Sequence, residues 1–79
     1  MTKFPERLKE LRAERKLSQE QLGAVIGVSK YAVHLYEKGK TCPEMRGLIG
    51  LADYFEVSMD YLAGRTNKRE AFSASILRL

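Results

Sequence analysis

Seventy-nine residues, 44% of them apolar and 30% charged, suffice for one small domain with a modest core, and no separate effector domain is expected. A single cysteine, Cys42, excludes an internal disulfide and fits a reducing cytoplasm. One histidine beside it offers neither a metal-ligand cluster nor a nucleophile–base constellation, so no enzyme, metal or cofactor is expected.

The net charge of +4 is unevenly placed. Residues 1–40 hold nine Lys/Arg against five Asp/Glu, residues 41–64 one against four, and residues 65–79 four against one. The basic excess falls on the first half and on the tail, and phosphate attraction requires such a local patch rather than a high total. The longest uncharged stretch, residues 21–29, is far shorter than the roughly 20 residues of a membrane span. The N-terminus has no apolar signal-peptide core, so a cytoplasmic protein without a membrane partner is expected.

The spacing predicts a first helix from residue 4 or 5 to Lys16. Pro5 fits an early helical position, where its missing N–H costs nothing. Phe4, Leu8 and Leu11 give the buried stripe, continued by Leu17, while Glu6, Arg7, Lys9, Glu10, Glu14 and Arg15 are expected on solvated faces. Residues 17–40 then hold the organising pattern. Ser18 with Gln21 three residues on makes a capping box. Leu22, Val25 and Ile26 recur at helical spacing, and Gly27 supplies the left-handed stop. Ser29 caps a second helix that Gly39 closes. At 100° per residue Ala32, Val33 and Tyr36 turn inward, whereas Lys30, Tyr31, His34 and Lys38 turn outward with Leu35 at the edge. Two short helices joined by a glycine turn form a helix-turn-helix pattern. An outward face of two cations, two ring donors and one aliphatic group suits a DNA major groove. Lys38, Lys40 and Thr41, around the following turn, are expected against phosphates.

Cys42 reads as a small, half-buried loop residue. Pro43 is expected to start a fourth helix with Glu44 in its first turn. Its core stripe is read as Met45, Leu48, Ile49, Ala52 and Phe55, weakened by Gly47 and Gly50, with Leu51 and Tyr54 off the stripe. Ser58 caps a fifth helix that turns Met59, Tyr61 and Leu62 inward and ends at Gly64. Residues 65–70, RTNKRE, read as a basic linker. The apolar remainder puts Phe72, Ile76 and Leu79 on one helical face, but Phe72, Ala74 and Ile76 fit a strand equally. Packing on the same domain, exchange with a second subunit and disorder all stay open, with a dimerisation element the favoured reading.

Three segments in order, LKELRAERKLSQEQLG, GVSKYAVHLYEKGK and LADYFEVSMDYLAG, give residues 4–65 a resemblance to the Xre/Cro-type helix-turn-helix family, the lambda-repressor-like DNA-binding domains. The resemblance implies an all-α, compact five-helix bundle over residues 1–64, whose third helix enters the major groove, with residues 65–79 as a C-terminal tail. It implies that Lys30 and Tyr31 are the main base-contacting positions, with His34 and Leu35 the second pair. It pairs Arg12 with Glu37 at the end of the reading helix, leaving Arg12 in reach of a phosphate, and places Gln19 on a phosphate too. Gly23 stands where the family takes a very small residue. Exposed apolar residues on helices four and five are where such proteins dimerise, which makes Leu51 and Tyr54, with the tail residues, interface candidates. The expected function is a dimeric, sequence-specific repressor of bacterial or phage type on double-stranded DNA. Two alternatives stand beside it: an antitoxin or restriction-modification controller of the same fold, and a module that has lost DNA binding and takes an unidentified protein partner.

Overall fold

The computed structural model describes residues 3–70; Phe72, Ile76 and Leu79, singled out above, lie outside that range. Five helices follow in order: α1 Phe4–Glu14, α2 Gln19–Ile26, α3 Lys30–Glu37, α4 Met45–Phe55 and α5 Met59–Ala63. Their boundaries have local causes. Ser18 Oγ accepts the Gln21 N–H at 3.0 Å and Gln21 Oε1 accepts the Ser18 N–H at 2.8 Å, so two donors at the start of α2 are satisfied reciprocally. Ser29 and Ser58 cap α3 and α5 by accepting the N–H groups of Ala32 and Tyr61. α2 and α5 stop where Gly27 and Gly64 take left-handed φ values of 73° and 87°.

All five helices contribute to one core. Phe4, Leu8 and Leu11 of α1 meet Leu22 of α2, Val33 and Tyr36 of α3, Leu51 and Phe55 of α4, and Leu62 of α5. Each such large apolar side chain contributes about 1.5–3 kcal/mol when fully buried. The turn between α2 and α3 is set by a close approach at Gly23. A Cβ there would stand 2.5 Å from the Val28 carbonyl oxygen, inside any tolerable contact. A Cβ on Gly50 would meet Ile26 Cγ2 at 3.3 Å, so that glycine lets α4 draw near α2.

Several expectations are corrected. α1 ends at Glu14 rather than Lys16, because Lys16 adopts φ 56° and turns the chain toward α2. Pro43 precedes α4, whose N-cap is Glu44. The core stripe of α4 is Leu48, Leu51, Ala52 and Phe55; Met45 and Ile49 are 63% and 44% exposed. Leu51 is fully buried, which removes it from the interface candidates, since a side chain inside the core has no surface to offer a second subunit. Cys42 is exposed, and the neighbouring Pro43 is buried instead. Arg7 is buried rather than solvated, and residues 65–70 are no free linker. Arg7 donates to the carbonyl oxygens of Tyr61 and Thr66 and to Asn67 Oδ1, which draws that segment back onto α1.

Candidate nucleic-acid interface

Capping by Ser29 leaves α3 with no acid in its first turn, and Lys30 occupies the first helical position. Lys30 is exposed and Tyr31 is 67% exposed. Three residues on, the His34 ring stacks near Tyr31 with centroids 6.4 Å apart and planes 23° from parallel. His34 and Leu35 are half-buried, and Lys38 and Lys40 are exposed. Val33 and Tyr36 anchor the opposite face of α3 in the core. The outward row is therefore presented on a fixed helix rather than on a loop. Its chemistry, a cation, two ring donors and an aliphatic edge, is that of groups able to meet base edges.

What holds α3 in place is an ion pair to α1. Arg12 Nε donates to Glu37 Oε2 at 2.6 Å and Arg12 Nη2 to Glu37 Oε1 at 3.0 Å. The Glu37 side chain is only 5% exposed. Arg12 Nη1 also donates to the Leu17 carbonyl at 2.8 Å, and Gln19 Nε2 to Glu37 Oε1 at 3.2 Å. One carboxylate thus joins α1, the start of α2 and the end of α3. The Glu37 hydrogen bonds hold the Arg12 guanidinium above its ordinary range, against the opposing effect of burial. Three Arg12 donors are engaged inside the protein, which leaves two N–H groups of its five for an outside partner.

A shallow polar groove opens beside this network, lined by Lys9, Arg12, Gln19, His34, Glu37 and Lys38. The fold thus brings Arg12, Gln19, His34 and Lys38 to one place, with Lys30 and Tyr31 on the helix that walls it. Lys40 and Thr41 are exposed in the turn beyond, where the Gly39 N–H donates to the Tyr36 carbonyl and the Lys40 N–H to the Leu35 carbonyl. Lys9 is a groove residue that sequence reasoning missed. It sits three residues before Arg12, hence on the same side of α1, and that spacing was the available signal. Tyr54 is half-buried, edge-on to Phe55 at 5.1 Å and beneath Arg15 at 5.1 Å. No cluster of metal-ligating side chains occurs among the described residues. Among them, no helix is long and apolar enough to cross a membrane.

The helix-turn-helix family model matches residues 8–62. The chain is 34% identical over 67 residues to the uncharacterised HTH-type transcriptional regulator YqaE of Bacillus subtilis, over 84% of its own length. It is 38% identical over 63 residues to the cryptic phage CTXphi transcriptional repressor RstR of Vibrio cholerae, over 80% of its length. It spans 58% of the first relative and 56% of the second, so both are considerably longer. The crystal structure of the P22 c2 repressor in complex with a synthetic operator superposes with a TM-score of 0.75 at 32% identity. That match covers 80% of this chain and 96% of the other.

Proposed function

The chain belongs to the helix-turn-helix family of lambda-repressor-like domains, a DNA-binding regulator fold and not an enzyme class, and from that premise we propose that it is a sequence-specific transcriptional repressor. The observation that carries the reading is the juxtaposition of the outward Lys30–Tyr31–His34 row of α3, exposed at Lys30 and Tyr31 and half-buried at His34, with the polar groove that α3 shares with α1 and the start of α2. Lys30 donates to guanine O6 and N7, His34 to a purine N7 or a phosphate, and Leu35 covers a thymine methyl. Tyr31 meets sugar edges. Lys38, Lys40, Thr41, Gln19 and the two free Arg12 N–H groups take phosphates, and these position the helix without reading sequence. Two copies bind one roughly palindromic operator, their reading helices about 34 Å apart. Tyr54 and the tail residues Phe72, Ile76 and Leu79 are the interface candidates that remain. The protein acts in the cytoplasm on double-stranded DNA, and repression follows from occupying a promoter.

The test is selection from a random duplex library, followed by anisotropy titration of the recovered sequence at several salt concentrations. Recovery of two half-sites supports both the reading and the dimer. A single half-site keeps DNA binding and removes the dimer, and absence of enrichment at low salt sinks the reading in favour of a protein-interaction module.

A further inference from the structure

Away from the groove, the most heavily bonded charged side chain in the core is Arg7. Its guanidinium satisfies two backbone carbonyls and the Asn67 side chain, and its Cζ lies 4.1 Å from the centre of the Tyr61 ring. Arg69 stands 5.3 Å from the same ring and donates from Nε to the Tyr61 hydroxyl at 3.2 Å. Arg69 then clasps Glu14 with two hydrogen bonds of 2.9 and 2.6 Å. Its carbonyl accepts the Ser58 N–H at 2.7 Å. Residues 66–69 therefore run along α1 from Arg7 in its first turns to Glu14 at its end, a span of about 10 Å at 1.5 Å per residue.

The two sides of α1 have separate tasks. At 3.6 residues per turn, Arg7 and Glu14 lie about 20° apart, and each is roughly 140–160° round the helix from Lys9 and Arg12. One side of α1 thus carries the groove cations and the Glu37 lock. The other side is gripped at both ends by the segment after α5. We propose that residues 65–70 form a strap that fixes α1 for DNA binding, so that opening the strap weakens DNA binding and DNA binding closes the strap. This rests on the DNA-binding reading above and adds a coupling between the groove and whatever chain follows residue 70. Coupling of this kind is reciprocal by thermodynamic necessity.

The experiment uses the full chain and the duplex recovered by selection. Glu14→Arg breaks the clasp while adding two positive charges to a protein that binds a polyanion. Electrostatics alone makes that variant bind more tightly; the strap makes it bind more weakly, by about fivefold. The exchange Glu14→Arg with Arg69→Glu restores the ion pair and the original net charge, though not the Arg69 contacts to Tyr61, and affinity rises above that of Glu14→Arg toward that of the unaltered protein. In the unaltered protein, hydrogen exchange of the Ser58 amide slows when the duplex is added, because that amide is bonded only when the strap is closed. Tighter binding by Glu14→Arg, or a Ser58 amide indifferent to the duplex, overturns the strap while leaving the DNA reading intact. Failure of the unaltered protein to bind any selected duplex overturns both.

Discussion

The most constrained single position is Gly23. Alanine is normally about 1 kcal/mol better than glycine inside a helix, but here its methyl would press on the Val28 carbonyl oxygen at 2.5 Å. We expect Gly23→Ala to lose about 1–3 kcal/mol, the usual cost of overpacking, measured as a lower thermal midpoint. Glu37 is the second such position. Removing its charge while keeping its shape, as in Glu37→Gln, leaves Arg12 facing a neutral amide inside a nearly closed site. A hydrogen bond to a charged group contributes about 1.5–3 kcal/mol. Denaturant unfolding of Glu37→Gln should show a loss of that order; a change below about 0.5 kcal/mol would mean that the pair contributes nothing beyond an ordinary surface contact.

Among the elements, α2, α3 and α5 were legible because their signals are local. Ser18 with Gln21, Ser29, Ser58, Gly27 and Gly64 each act within a few residues, and each does so in the structure. α4 was legible as a helix but not in its rotation. Residues 45, 48, 49 and 52 and residues 48, 51, 52 and 55 are both i, i+3, i+4, i+7 rows of mostly apolar side chains, and periodicity cannot choose between them. The choice is made by packing against the other helices, where Leu51 fills the core and Gly50 allows contact with Ile26. The rotation can be checked by two truncations. Leu51→Ala should cost about 2–5 kcal/mol, as for a buried leucine, and Ile49→Ala less than about 1 kcal/mol, with both read from urea midpoints. The part of the candidate site that lies on α3 was readable from its helical spacing. The Arg12–Glu37 lock followed only from a family resemblance, since residues 25 apart leave no mark on each other's local sequence. The burial of Arg7 had no local signature at all, its partners being 54 to 60 residues away.

At the scale of the whole molecule, charge governs both binding and cohesion. If Lys9, Arg12, Lys38 and Lys40 each neutralise one phosphate, log K for the monomeric domain should fall against log salt with a slope of roughly −3 to −4, and for a dimer with about twice that. A slope near zero would place these cations away from DNA. Salt and acid also act on the Glu14–Arg69 clasp, which lies at the surface with both side chains about half exposed. The hydrogen bond from Arg69 holds the Glu14 carboxyl below its ordinary range, with burial opposing and nearby positive charge assisting. Its contribution is therefore present above the unfolded-state carboxylate pKa of about 4.3 and is lost as pH falls through the lowered folded-state value. Protection of the Ser58 amide, its exchange taken relative to the intrinsic rate at the same pH, should fall as pH drops below the ordinary carboxylate range in the unaltered protein and show no such step in Glu14→Gln. Concentrated salt should lower it at neutral pH as well, because exposed pairs are screened.

The grip of residues 66–69 on α1 also has a consequence for how the chain is made. It joins the first helix to the last described residues across separations of 54 to 60 positions, so no part of it can form until nearly all of that chain exists. Loop closure over such a distance comes late, after the local helices and their turn have formed. During synthesis the N-terminal helix emerges first and must wait for its partners, with Phe4, Leu8 and Leu11 uncovered in the meantime. A ribosome-bound chain held by a linker with Gly64 just outside the exit tunnel should therefore show a formed helix-turn-helix and a first helix that a protease cuts more readily than in the finished protein. A further six residues beyond the exit tunnel should abolish that cleavage.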